Sequence, residues 1–441
     1  MPIKDQIHVI GVGGCGMCAV AEATLACGHN VTGSDRLLDA DATTPILQAL
    51  ANAGCTLVQQ DGSAISEKTT AVVASTAIEE DNSDILAARQ HGVPVLHRTE
   101  WLARMIGDKP LLGIAGTCGK STVTAMVGWI LEQEQRNPFV VNGASMPRWE
   151  SAQHTGHVRV GSENLWVLEL DESDRSLLRF APRHAVITNQ SADHFSLSDT
   201  DALFSAFRAR VTGDCLVGPW IPEAFQSDIS GSSFVYRDIS YRLLTLGLHN
   251  AENAIAATAL CACMGISLEA SAAALASFPG IRRRLERYQP SGQIYVFDDY
   301  AHNPAKIAAA FDTVLPLANN ATVIWRPHGY GPLRNMLEDF IKVFARLGKN
   351  AAPHSRHRLL LLPVYDRGGS AVRDIQSGDL AKRLQPHGVT VYCLATYDEV
   401  RAYCVPAHMQ PGDAVLVMGA RDPNLPNLAQ SIAAQQQSCI F

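Results

Sequence analysis

No apolar stretch in these 441 residues approaches the roughly 18 needed to cross a bilayer as a helix. No membrane span is therefore expected. The opening, Met1-Pro-Ile-Lys-Asp-Gln-Ile-His-Val-Ile10, enters a strand pattern directly and lacks the basic and apolar regions of a secretory leader. Positive charge is scarce as well. Lys and Arg number 36 against 43 Asp and Glu, a net charge of −7, and the one dense basic run, Arg282-Arg-Arg284, is too short to coat nucleic acid. No internal repeat or low-complexity tract is present. The eleven cysteines are scattered, several of them (Cys261, Cys263, Cys393) inside apolar segments, which suits reduced thiols in a cytoplasm rather than a disulfide framework. What remains is a globular composition, 47% apolar and 18% charged, long enough for two to four domains.

The chain is organised around Leu111 to Thr122. Leu111–Ala115 reads as a buried strand, Gly116-Thr-Cys-Gly-Lys-Ser121 as a glycine-rich turn, and Val123–Gln133 as a helix. Such a turn aims backbone N–H groups at an anion at the positive end of a helix dipole. With the Lys120 ammonium and the Ser121 hydroxyl it forms a cradle for a nucleotide triphosphate and its magnesium. The spacing is the short G-x-x-G-K-S, since Ile114 stands five residues before Gly119.

A second glycine turn opens the chain. The strand Ile7–Ile10 leads into Gly11-Val-Gly13-Gly14-Cys15-Gly16, then a small-residue helix from Met17, and a second strand ends at Asp35. That layout binds a pyrophosphate through the backbone, with Asp35 placed for a ribose or base, and NAD(P) is the default ligand. Cys15-x-x-Cys18 resembles a metal knuckle but has no second ligand pair nearby. Strand and helix patterns then alternate to the end of the chain, with breaks at Gly107–Pro110 and Phe278–Glu286 and a polar tail after Gln430 that is expected to fray. The expected architecture is three consecutive α/β domains: a Rossmann-like unit at 1–108, a P-loop unit at 109–287 and a Rossmann-like unit at 288–441.

These pieces together resemble the Mur ligase family, ATP-dependent amide-forming enzymes of peptidoglycan synthesis, and within it the alanine-adding branch. The resemblance runs through Gly11–Glu22, Gly33–Asp35, Ser75–Ile78, Val93–Trp101, Gly116–Thr122, Glu169–Asp174, Thr188–His194, Leu248–Asn253, Asp298–Pro304 and Pro327–His328. It implies a cytoplasmic ligase, monomeric or weakly dimeric, acting on UDP-N-acetylmuramate and a free amino acid or short peptide, with ATP and Mg2+ and neither nucleic acid nor membrane as partners. The first glycine turn would then hold a UDP pyrophosphate through Gly13, Gly14, Cys15, Gly16 and Met17, with Asp35, Ser75 and Thr76 nearby. ATP would lie on Gly116, Thr117, Cys118, Gly119, Lys120, Ser121 and Thr122, with Asn250, Asn253, Arg284 and Asp298. Ser121, Glu169 and His194 would ligate magnesium. Lys120, Glu169, His194 and Arg284 would carry the chemistry, and His302, His328 and Arg334 would face the acceptor. The sugar carboxylate would attack the γ-phosphate to give an acyl phosphate, which an amine then opens, so positioning and charge neutralisation set the rate.

Taken residue by residue, Glu169 sits in an apolar strand and needs a partner. Asp171, Glu172 and Asp174 are equally readable as solvated loop acids, and Lys120 as a solvated loop lysine. Two positions depart from the family: Cys118 where the alanine-adding branch has histidine, and Gly329 where it has the arginine expected to hold the acceptor carboxylate. Arg334, or more weakly Arg421, is the expected substitute. No lysine occurs between Lys120 and Lys306, in keeping with a branch that uses no carbamylated lysine. The competing readings are a murein-peptide recycling ligase, a nucleotide-binding paralogue without ligase activity, and an NAD-dependent oxidoreductase. The last leaves Lys120, Glu169 and Arg284 unexplained.

Overall fold

The computed structural model describes residues 5–39, 44–162, 164–190, 197–288, 294–348, 356–366, 372–420 and 422–437. Three α/β sheets follow one another along the chain, in two compact units, 1–281 and 282–441. No helix among the described residues is long and apolar enough to cross a membrane.

The first sheet is parallel throughout, in the order β3-β2-β1-β4-β5. Its strands are β1 (Gln6–Ile10), β2 (Asn30–Ser34), β3 (Thr56–Val58), β4 (Ala71–Ala74) and β5 (Val95–His97). Helix α1 (Cys15–Ala26) follows the first glycine turn and α2 (Arg98–Ile106) follows β5. The order reverses between β1 and β4, and in such sheets ligands bind outside the carboxyl ends at the reversal.

In the second sheet the order is β8-β7-β9-β6-β10-β11. Its strands are β6 (Leu111–Ala115), β7 (Phe139–Val141), β8 (Val158–Arg159), β9 (Trp166–Glu169), β10 (His184–Ile187) and β11 (Cys215–Val217). Only β8 is antiparallel. All five residues of β6 are buried, as an apolar run covered on both faces requires. Helix α3 spans Lys120–Gln133, beginning three residues before the expected Val123 because Gly119 occupies the left-handed N-cap position. Helix α4 (Leu248–Ala262) packs beside it. One apolar cluster joins the two sheets through Trp101, Leu102, Phe139 and Trp166. The pattern reading missed the three-stranded antiparallel sheet of Glu223–Asp228, Gly231–Tyr236 and Ile239–Leu243.

The second unit holds β12 (Glu286–Tyr288), β13 (Tyr295–Asp299), β14 (Ala321–Trp325), β15 (Arg358–Leu361), β16 (Thr390–Cys393) and β17 (Ala414–Met418), in the order β12-β13-β17-β14-β15-β16. Helix α5 (Pro304–Val314) follows β13, and α6 (Tyr330–Asn335) lies beyond β14. Of the tail expected to fray, residues 431–437 belong to helix α7, Leu425–Gln437, and residues 438–441 lie outside the described residues. Leu425, Leu428, Ala429, Ile432 and Ala433 are buried at helical spacing, and that stripe holds the polar segment in place.

Candidate active site

The carboxyl edge of the second sheet assembles the phosphate loop. Gly116 and Gly119 have φ of +127° and +84°, and a Cβ on either would overlap Thr188 Oγ1 or Asn253 Oδ1. Both positions therefore require glycine. The loop is clamped by the two residues after β10. Thr117 N–H donates to the Asn189 carbonyl at 3.2 Å and Cys118 N–H to Asn189 Oδ1 at 2.9 Å. The Cys118 carbonyl accepts from Thr188 Oγ1 at 2.6 Å and from Asn189 Nδ2 at 2.9 Å. Cys118 itself is exposed. Thr122 is buried on the first turn of α3.

Lys120 is not a solvated loop lysine. Its Nζ donates to the Gly116 carbonyl at 2.8 Å and to Glu172 Oε2 at 2.7 Å, and the two side chains are only 13% and 5% exposed. Burial by itself would lower the ammonium, but Glu172, with Glu169 and Asp171 behind it, holds it above the ordinary lysine value. Burial raises Glu172, and Lys120 partly offsets this. The acids after β9 are likewise engaged: Asp171 and Asp174 lie 3.2 and 3.7 Å from Arg98 Nη2, and Asp174 also faces His97 Nε2 at 3.4 Å. Against the cost of burial, His97, Ser176 and Arg98 hold the Asp174 carboxyl well below the usual range.

Glu169 has the partners its place in an apolar strand demands. Oε1 accepts from Ser121 Oγ at 3.0 Å and Oε2 from Gly143 N–H at 2.7 Å. Two hard oxygen ligands thus meet beside the lysine, a donor set that suits Mg2+. His194 lies outside the described residues, as does Arg421. Asn253 stands against Gly119, and its Nδ2 reaches Asn250 Oδ1 at 3.4 Å.

On the first sheet, Asp35 is committed to its own turn. Oδ2 accepts from Gly13 N–H at 2.8 Å and Oδ1 from Leu37 N–H at 2.9 Å, while Gly14 N–H donates back to the Gly11 carbonyl at 3.0 Å. Gly14 and Cys15 are exposed at the start of α1, and Met17 behind them is buried. Ser75 and Thr76 form the turn after β4, whose Ile78 packs 3.5 Å from the place a Cβ on Gly11 would take. Arg98, which pattern reading left unassigned, has Nη1 2.6 Å from the position of a Cβ on Gly16. It therefore touches the first glycine turn and the acids after β9 together. The available signal was a His-Arg pair where a strand gives way to a helix.

The arginine run in the second unit separates into distinct duties. Arg282 pairs with Glu286. Arg283, at φ +58°, binds Asp298 and the carbonyls of Gly419 and Ala420. Arg284 lies 5.9 Å over the Tyr300 ring. Asp298 is fully buried, and burial raises its carboxyl to about 7, with Arg283 opposing. The His302 and His328 rings meet edge to face at 4.8 Å. His302 Nδ1 donates to the Tyr300 carbonyl at 2.9 Å, and burial lowers the imidazole to about 4. Arg334, on α6, grips Asp374 through Nε and Nη2 and donates to the Val372 carbonyl.

A glycine loop with a buried lysine, closed by a hydroxyl–carboxylate pair at the edge of a doubly wound sheet, defines an enzyme that uses a nucleotide triphosphate. The comparisons give the family. Three Mur ligase models match in order: the catalytic domain over residues 6–109, the middle domain over 114–203 and the glutamate ligase domain over 283–421. A UDP-N-acetylmuramate–L-alanine ligase of Synechococcus sp. (strain JA-3-3Ab) is 30% identical, aligned over 99% of this chain and 87% of its own length. The crystal structure of the UDP-N-acetylmuramate-alanine ligase from Thermotoga maritima superposes with a TM-score of 0.78 at 25% identity, covering 98% of this chain and 99% of that one. A murein peptide ligase from Psychrobacter arcticus shares the fold at a TM-score of 0.64 and 20% identity, over 99% and 100% of the two chains. The chain belongs to the Mur ligase family. It is an ATP-dependent, amide-bond-forming ligase of peptidoglycan synthesis.

Proposed function

We propose that this enzyme joins L-alanine to the carboxylate of UDP-N-acetylmuramate in the cytoplasm. The observation that supports the chemistry is the convergence of Lys120, Ser121 and Glu169 at one sheet edge. The named relatives support the substrates. When bound, ATP with Mg2+ supplies the phosphoryl group that activates the sugar carboxylate. The loop amides of residues 116–121 bind the phosphates, Lys120 neutralises charge on them, and Ser121 and Glu169 hold the cation, with His194 as a further ligand. Residues 1–108 take the UDP-sugar at the Gly13–Met17 turn, 109–287 the nucleotide, and 288–441 the amino acid at His302, His328 and Arg334. Arg284, near the end of the second segment, and Asp298, in the third, serve the nucleotide as the family resemblance implies.

Phosphate release with UDP-N-acetylmuramate, ATP and Mg2+ against a panel of amino acids and short peptides tests the reading. Alanine is expected to give the highest kcat/KM. A short peptide that outcompetes every single amino acid makes the enzyme a recycling ligase instead, and no UDP-sugar-dependent turnover overturns both.

A further inference from the structure

The edge of the second sheet opposite the phosphate loop carries its own cluster of donor atoms. His184 opens β10, Asp214 immediately precedes β11, and Cys263 caps the C-terminal end of α4. The Ala185–Cys215 pairing sets His184 beside Asp214. A ring nitrogen of His184, a carboxylate oxygen of Asp214 and Sγ of Cys263 all lie within 4.8 Å of one another.

His184 Nδ1 accepts the Asp214 N–H at 3.1 Å and lies 3.2 Å from Asp214 Oδ2. Cys263 faces the same carboxylate, and burial, with Asp214 beside it, raises its thiol. A nitrogen, an oxygen and a sulfur donor thus converge on one point.

We propose that His184, Asp214 and Cys263 form a site for a thiophilic divalent cation of the zinc class. Sulfur, imidazole and one carboxylate oxygen make up three ligands of a tetrahedral set, with water as the fourth. A hard ion such as Mg2+ has no preference for the thiolate. Binding is an exchange without redox chemistry: the S–H bond breaks, the proton leaves to solvent, and the thiolate pair binds the metal. The bound ion ties the C-terminal end of α4 to the starts of β10 and β11. About 15 Å back along that helix, its second turn sets Asn253 against Gly119. The site thus steadies the helix that buttresses the phosphate loop.

Titration of the reduced full-length protein with Co2+ alone is the test. One equivalent is expected to raise a thiolate-to-cobalt absorption band that Zn2+ removes by displacement, and Zn2+ is expected to raise the melting temperature by about 2 °C or more. Cys263→Ser is expected to lose the band and the thermal shift, and Asp214→Asn to need at least about tenfold more metal, with phosphate release in buffer holding Mg2+ but no Zn2+ or Co2+ unchanged in both. Cys263 is half-buried and Asp214 exposed, so neither change endangers the fold. No band in the unmodified protein, or a full band in Cys263→Ser, overturns the site.

Discussion

Glu172 Oε2 lies 2.7 Å from Lys120 Nζ, so the lysine of the phosphate loop is already ion-paired inside the protein. The pair gives the loop its geometry and sets the lysine's charge before any nucleotide arrives. Lys120→Ala is expected to abolish phosphate release and also to destabilise the fold by about 1–3 kcal/mol, because it strands a buried carboxylate. Adding Glu172→Gln is expected to restore most of the stability and none of the activity. Denaturant unfolding of the single and double variants checks this. A Lys120→Ala protein with unchanged stability contradicts the pairing, and one with near-normal turnover contradicts the site.

Glu169→Gln keeps the shape of the side chain but removes its charge beside Ser121. The magnesium concentration for half-maximal activity is expected to rise about tenfold, the equivalent of 1.4 kcal/mol, while UDP-sugar affinity stays within about twofold. Phosphate release across a magnesium series measures it. An unchanged midpoint would limit Glu169 to accepting the Gly143 and Ser121 hydrogen bonds.

Arg98 spans the first glycine turn and the acids after β9. Arg98→Ala is expected to raise KM for the UDP-sugar by about tenfold or more, with Arg98→Lys recovering only part, since a lysine lacks the fork that meets two groups at once. A KM that stays put in the alanine variant, measured at saturating ATP, makes Arg98 a strut between two segments and nothing more.

Acid is expected to unfold the protein through buried imidazoles. Burial lowers His157 and His302 to about 4 from an ordinary value of 6.5. Their folded values lie below the unfolded ones, so their stability is fully present above pH 6.5 and is lost as pH falls toward 4. Each contributes a slope of about 1.4 kcal/mol per pH unit in that window. Asp298, raised to about 7 by burial, has the opposite sign and loses its contribution as pH rises from 3.8 toward 7. The clean comparison is therefore His157→Gln against the parent. The stability difference between them should narrow by about one proton's slope from pH 6.5 to pH 4.5, and parallel curves from urea melts would sink the idea.

Arg334 is the cation closest in sequence after Gly329 to replace the missing fork, and it is half-committed to Asp374. Arg334→Ala is expected to raise KM for alanine at least about tenfold with little change in kcat or in UDP-sugar binding. A silent variant removes Arg334 from the acceptor site.

Both glycine turns, the strand before each and the alternation of strand and helix were readable in the sequence, because each rests on contacts between near neighbours: a required positive φ, a helix start, a period. The ends of elements were less legible. α3 starts at Lys120 and α7 continues to Gln437 because a cap and a buried stripe decide where a helix begins and ends. What only the tertiary structure decided are the partners. Lys120 meets Glu172 across 52 residues and Arg98 meets Asp171 across 73, both brought together by the order of strands in the sheets. A local pattern shows that Glu172 and Asp174 are charged, but whether they are solvated acids or buried partners depends on what the sheet order places opposite them. In this chain the sequence determined the chemistry available at each turn, and long-range strand order determined which charges are neutralised and which remain to meet a substrate.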